Sequence, residues 1–335
     1  MLFRSGPTAG TSAAGVDETG GFDTATGTLS FSFGQDGAGS VKLTSGQSGL
    51  TSHGVAVTNT VSADGLTITG KAGDVPVYTL TLNPATGAYV FKQLAALDHP
   101  NTADHNDALN LGFGFKVTDG DGDTANGTLN VTVCDDGPMV GNAKSILDET
   151  NAKDSVGAKD DGIWATQTSG TPLAATGKVT FGYGMDGAGS VQLTTLPTGL
   201  THHGQAVGIT LVGNTATGKL ADGTLVFTLS LDAATGNYTY KQYASLDHAD
   251  KSNHDDVLGF SFGYKVTDGD GDSAAGKIEF CVNDDGPAAS ISTLKVDQSC
   301  LQDDCNPATP LFTATSALDF GYGMDGKGKV SLSSV

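Results

Sequence analysis

The chain has 335 residues, 37 of them acidic and 17 basic, and carries a net charge of −20. That balance excludes nucleic acid and anionic membrane surfaces as expected partners. Hydrophobic residues make up 38% of the chain and fall in runs too short to span a bilayer, so no membrane insertion of this segment is expected.

In chain order the elements read as β throughout. Gly27-Thr-Leu-Ser-Phe-Ser-Phe33 predicts a strand. Val77–Leu82 and Ala88–Lys92 alternate polar and apolar residues around the turn Asn83-Pro-Ala-Thr-Gly87, which is hairpin grammar. Thr128–Val133 predicts a closing strand. The same series returns as Lys178-Val-Thr-Phe181, then Leu225–Leu231 and Asn237–Lys241 around Asp232–Gly236, then Lys277–Val282. Threonine, valine and aromatics fill these runs, as half-buried pleated surfaces prefer, and no window shows helical periodicity. With 48 glycines punctuating the chain, the expectation is an all-β fold of tandem antiparallel β-sandwiches, end to end.

The repetition is explicit. Phe113-Gly-Phe-Lys-Val-Thr-Asp-Gly-Asp-Gly-Asp123 returns as Phe262-Gly-Tyr-Lys-Val-Thr-Asp-Gly-Asp-Gly-Asp272, an offset of 149 residues. Leu97-Asp-His99 returns as Leu246-Asp-His248, and Asp36-Gly-Ala-Gly-Ser-Val41 as Asp186–Val191. Asp-Asp-Gly-Pro punctuates at Asp135–Pro138 and Asp284–Pro287. Eleven residues after Pro7, Pro138 and Pro287 stand Glu18, Glu149 and Gln298. This phase predicts a first repeat over 1–138, a second over 139–287 and the truncated start of a third over 288–335. It reads as a fragment of a longer array.

Three carboxylates in five residues repel one another by about 1 kcal/mol per close pair even in bulk water. A hard cation such as Ca²⁺ relieves this by taking the oxygens as ligands, and the glycines let the backbone curl around one point. The candidate ligands are Asp119, Asp121 and Asp123, with Asp268, Asp270 and Asp272. The competing reading is a solvated acidic turn. The loop is no EF-hand: Thr124 and Ser273 stand where glycine belongs, and a strand follows instead of a helix. The linker acids Asp135, Asp136, Asp284 and Asp285, with Asp17-Glu18, Asp148 and Glu149, would share an ion at a joint or simply make turns.

His99 and His105, and His248 and His254, recur beside Asp98, Asp107, Asp247 and Asp256. A His-x₅-His pair among carboxylates suits a transition metal, but such histidines also cap turns or pair with aspartate. His53 and His203 carry the same two readings. Gly182–Gly187 fits G-x-G-x-x-G but leads into a strand pattern, so it reads as a tight turn or bulge. No nucleophile elbow or Walker loop is present, and no enzyme activity is expected. Cys134 and Cys281 read as packing residues on last strands, while Cys300 and Cys305 are open to either a small disulfide loop or free thiols.

Taken together, Tyr/Phe-Lys-Val-Thr-Asp-Gly-Asp-Gly-Asp, the strand after it and Asp-Asp-Gly-Pro resemble the long tandem repeats of type I-secreted RTX giant adhesins. Leu-Asp-His and Pro-Ala-Thr-Gly-Ala-Tyr are similar to the same repeats and to related VCBS-type and cadherin-like bacterial surface repeats. The resemblance implies Ig- or cadherin-like sandwiches, calcium-dependent rigidity, neighbouring repeats as partners, export to the cell surface, and a role in adhesion and biofilm. It puts calcium on the six hexapeptide aspartates and, more weakly, on the linker acids. Two departures stand out: four cysteines, and no nonapeptide glycine–aspartate array. A second reading is a ligand- or glycan-binding module using Tyr240, Tyr243 or Trp164. A host or surface glycan or protein could also be engaged through other domains.

Overall fold

The computed structural model describes residues 7–18, 21–102, 104, 106–149, 172–253, 255–284, 288–289, 315–316, 318, 320–321 and 328–332. His105, Trp164, His254, Asp285, Cys300 and Cys305, and nearly all of the third repeat, lie outside these. The described residues are strands and turns without a helix, so no helix is long and apolar enough to cross a membrane. By contacts the chain divides into two compact units. Unit 1 is 1–141 with 180–192 and 264–276; unit 2 is 142–179, 193–263 and 277–335.

In unit 1 a six-stranded sheet runs in the order Thr24–Thr28, Ala88–Gln93, Val75–Leu82, Thr67–Ala72, Val55–Val61, Thr51–Ser52. A four-stranded sheet runs Thr11–Asp17, Thr124–Cys134, Ala108–Asp119, Ala38–Ser45. The long hairpin Ala108–Asp119/Thr124–Cys134 turns its alternate residues inward. Leu111, Phe113, Phe115, Val117, Leu129, Val131 and Val133 are all buried. They face Ile68, Val77, Tyr78, Leu80 and Phe91 of the other sheet, with the Phe113 ring 5.7 Å from Tyr78 and 5.9 Å from Phe91. Each large side chain so buried contributes about 1.5–3 kcal/mol relative to exposure.

Unit 2 holds its own five-stranded sheet, in the order Leu173–Lys178, Asn237–Gln242, Leu225–Leu231, Thr215–Lys219, Gly208–Val212. Tyr240 packs on Phe280 at 4.5 Å and Phe227 on Phe262 at 6.0 Å. Tyr240 is therefore a core residue, whereas Tyr243 is exposed.

Two features depart from the sequence expectation. The segment Gly27–Phe33 is not one strand. Its ladder ends at Thr28, Leu29 turns into the core, and Phe31–Ser32 pairs instead with Thr8–Ala9. Lys178–Phe181 breaks in the same way at the buried Val179.

The sandwich is also not wholly antiparallel. Thr11–Asp17 lies parallel to Thr124–Cys134, with Thr11 opposite Thr128 and Asp17 opposite Cys134, and Ala143–Asp148 lies parallel to Ser273–Asn283. The reason is directional: the first strand must run the same way as the last if the chain enters at one end of the sandwich and leaves at the other. Its consequence is local. Glu18 N donates to Cys134 O at 3.0 Å, which sets Glu18 beside Asp135.

Candidate metal centre

The hexapeptide is the tip of the long hairpin. Asp119 Oδ1 accepts from Gly122 N at 3.1 Å and Asp123 N at 2.8 Å, so this carboxylate caps its own turn. Gly122 has φ 104°, a conformation natural only to glycine. Gly120 is needed for a different reason: a Cβ there would stand 2.3 Å from Asp36 O. The second tip repeats this, with Asp268 Oδ1 accepting from Gly271 N at 3.1 Å and a Cβ on Gly269 falling 2.1 Å from Asp186 O. Turn capping accounts for only one oxygen of each aspartate. Asp119 Oδ2 and Asp268 Oδ2 are buried without a hydrogen-bond partner.

At the first tip, Asp36, Asp119 and Asp121 offer oxygens that all lie within 4.8 Å of one another. The second tip, part of unit 1, does the same with Asp186, Asp268 and Asp270. Here more acids join. Glu18, Asp135, Asp136 and Asp186 form a further group within 4.8 Å, and Glu18, His99 and Asp135 another. Asp136 accepts from Met185 N at 2.9 Å, and Asp270 Oδ2 accepts from His99 N at 3.1 Å.

The electrostatics are severe. Burial first, then the charges of Asp186, Asp270 and Asp272, push Asp135 up to about 9. Burial and the neighbouring charges of Asp270 and Glu18 raise Asp186 to about 8. Burial raises Glu18 to about 7, against the opposing hydrogen bonds from Gln93 and Leu97. Asp268 rises to about 7, again chiefly by burial. Several of the oxygens involved have no protein donor: Glu18 Oε2, both oxygens of Asp135, both of Asp186, and Asp268 Oδ2. Buried carboxylates left so need either protons or a cation. The oxygen-rich set fits a hard divalent ion, so these clusters are able to hold a metal.

The predicted ligands thus divide. Asp119 and Asp121 meet at the first tip; Asp268 and Asp270 meet at the second; Asp135 and Asp136 join the latter's surroundings. Asp272 is buried beside Asp135 and its counterpart Asp123 is exposed, and neither belongs to a ligand group among the described residues. Glu149 and Asp284 group with His248 in unit 2, and Asp148 is half-exposed and in no group.

Asp36 and Asp186 do not read as ligands from sequence, whereas Glu18 reads among the linker acids and His99 and His248 under one of two readings of their pairs. Asp36 and Asp186 were visible as the repeated Asp-Gly-Ala-Gly, and Glu18 as the recurrent acid eleven residues past proline. Asp98 and Asp247 serve turns instead, accepting from Gly54 N at 2.8 Å and from Gly204 N at 2.7 Å. His53 and His203, each at φ 49°, occupy those turns.

A protein built of two such copies, with paired acid tips, is a tandem repeat protein. The chain belongs to the family described as "Domain of unknown function (DUF5801)", whose pattern matches residues 11–132 and again 144–280. No curated protein matches it. Among solved structures it is similar to Drosophila N-cadherin EC1-4, at 12% identity and a TM-score of 0.24, over 85% of this chain and 53% of that one. It is similar as well to human CDH23 EC21-23, at 14% identity and a TM-score of 0.27, over 94% of this chain and 80% of that one. The chain thus spans about half the length, 53%, of the N-cadherin fragment. TM-scores this low carry no functional inference.

Proposed function

We propose that this chain is a calcium-stiffened structural extender of a secreted bacterial surface adhesin. The observation that carries the calcium reading is the buried carboxylate cluster of unit 1, drawn from both sequence repeats: Glu18, Asp135 and Asp136 with Asp186, Asp268 and Asp270. Adhesion, biofilm, type I export and an extracellular home rest on the motif resemblance to RTX adhesin repeats.

Where calcium is scarce, the clustered acids repel and the second tip is held poorly. Where it is plentiful, Asp186, Asp268 and Asp270 on one side and Glu18, Asp135 and Asp136 on the other would hold it. Calcium supplies the positive charge; the chain's own residues supply direction. Gly120 and Gly269 let the tips close, Gln93 and Leu97 orient Glu18, and Met185 N orients Asp136. At about 1 mM calcium, a site of about 0.1 mM affinity adds roughly 1.4 kcal/mol. This role assigns no catalysis to the chain.

The test is thermal unfolding with calcium and with chelator, alongside calorimetric titration of calcium. A melting curve that ignores both additions would remove the calcium reading.

A further inference from the structure

One member of the cluster is foreign to a calcium site. His99 is buried, its side chain fully enclosed, and its Nδ1 stands 2.6 Å from Asp107 Oδ1. Asp107 is itself fixed in place, because its carbonyl accepts from Asp135 N at 3.0 Å. A proton on Nδ1 given to Asp107 leaves Nε2 with a bare lone pair. That nitrogen is buried with no hydrogen-bond partner, and the His99 ring offers a ligand nitrogen within 4.8 Å of ligand oxygens of Glu18 and Asp135. Gln93 and Leu97 N occupy Glu18 Oε1, which leaves Oε2 unpartnered.

Calcium takes oxygen ligands, whereas imidazole suits zinc, copper, iron and nickel. A carboxylate behind the histidine, holding the far ring nitrogen, is the usual support of a metal-bound imidazole. Unit 2 gathers the same residue types independently, although there the histidine and aspartate are close without a hydrogen bond between them. His248 Nδ1 is 3.0 Å from Asp256 Oδ1, and its Nε2 is 3.7 Å from Glu149 Oε2, with Asp284 completing the group. That separation is long for a hydrogen bond and close to the roughly 3.3 Å between two ligands of a tetrahedral zinc ion.

We propose that Glu18, His99 and Asp135 form a site for a divalent transition-metal ion of the zinc type, repeated in unit 2 as Glu149, His248 and Asp284. Asp107 and Asp256 act as positioning residues for the two imidazoles. Glu18 and Asp135 belong also to the oxygen group with Asp136 and Asp186, so they bridge the nitrogen-bearing site and the calcium cluster.

The whole chain, stripped of metal, is titrated with Zn²⁺ and with Co²⁺ in the presence of about 1 mM calcium. The expected result is binding at two sites, with a visible cobalt absorption band. His99→Gln removes one equivalent or weakens it at least tenfold, and Asp107→Asn weakens it 10–100-fold. Neither changes the calcium isotherm more than about twofold. X-ray absorption on the unsubstituted zinc-loaded protein should show imidazole nitrogen at about 2.0–2.1 Å, a readout that survives any misfolding of the variants. Zinc binding that depends on His99 without any calcium response would leave this site standing and remove the calcium reading. Calcium binding without zinc, zinc displaced entirely by calcium, or zinc binding indifferent to both His99→Gln and His248→Gln would overturn it.

Discussion

The two hexapeptide tips of unit 1 have the same sequence and different surroundings. At the first, Asp36 is half-buried, Asp121 and Asp123 are exposed, and the group consists of Asp36, Asp119 and Asp121. At the second, Asp186, Asp268 and Asp272 are buried, and Glu18, His99, Asp135 and Asp136 stand close by. The difference teaches that Thr-Asp-Gly-Asp-Gly-Asp is half of a site. Its turn is self-sufficient, because the aspartate caps it and the glycines permit it. Its surroundings are not: Asp119 and Asp268 are equally buried, but only the second tip stands beside a further set of acids.

The largest way to sharpen this comparison is metal removal. If two or three ions bind in unit 1, chelation withdraws about 3–4 kcal/mol, and its melting temperature should fall by about 10 °C. Differential scanning calorimetry with and without chelator measures it; an unmoved transition breaks the comparison at its root. Next come matched substitutions. Asp268→Asn should weaken calcium at least tenfold while stabilising the metal-free protein, since it removes a buried charge. Asp119→Asn should affect calcium less and leave its turn intact, because the amide oxygen still accepts from Gly122 and Asp123. Calorimetric titration of both variants decides; equal losses would erase the distinction between the tips.

pH offers a third test, on metal-free protein. Glu18 and Asp186 have folded values raised to about 7 and about 8, above ordinary carboxylate values near 4. Between those limits the folded state holds more protons than the unfolded state, so stability falls as pH rises. The metal-free melting temperature should therefore drop from pH 5 to pH 8, and saturating calcium should flatten or reverse that slope. A metal-free transition that rises over this range would contradict the buried placement of these acids. The smallest effects separate Asp272→Asn from Asp123→Asn. The exposed Asp123 should tolerate the change within about 0.5 kcal/mol, as surface positions do. Gly122→Ala should destabilise by about 1 kcal/mol through its positive φ. Denaturant midpoints resolve both.

Much of the fold was legible. Val77–Leu82, Ala88–Lys92, Leu225–Leu231 and Asn237–Lys241 alternate because one face of each strand meets a core, and period-2 alternation is visible in any sequence. The strand breaks at Leu29 and Val179 were not, because an apolar residue inside a β-prone run reads the same whether the strand continues or bends inward. His99 was ambiguous for a related reason. Leu-Asp-His gives no sign that Asp98 serves the turn at Gly54 while the histidine turns toward Glu18 and Asp135.

The amino-acid sequence alone determined the local parts: strands, hairpins, the glycine-dependent acid tips and their recurrence. These depend on neighbours a few residues apart, through sterics and backbone hydrogen bonds. The tertiary structure decided which acids share a centre. The parallel pairing of Thr11–Asp17 with the last strand brings Glu18 to Asp135, and the enclosed second tip brings Asp186 to both, with Asp268 and Asp270 beside Asp186. Coulomb repulsion and desolvation depend on distance through space and on burial, and neither is written in the spacing along the chain.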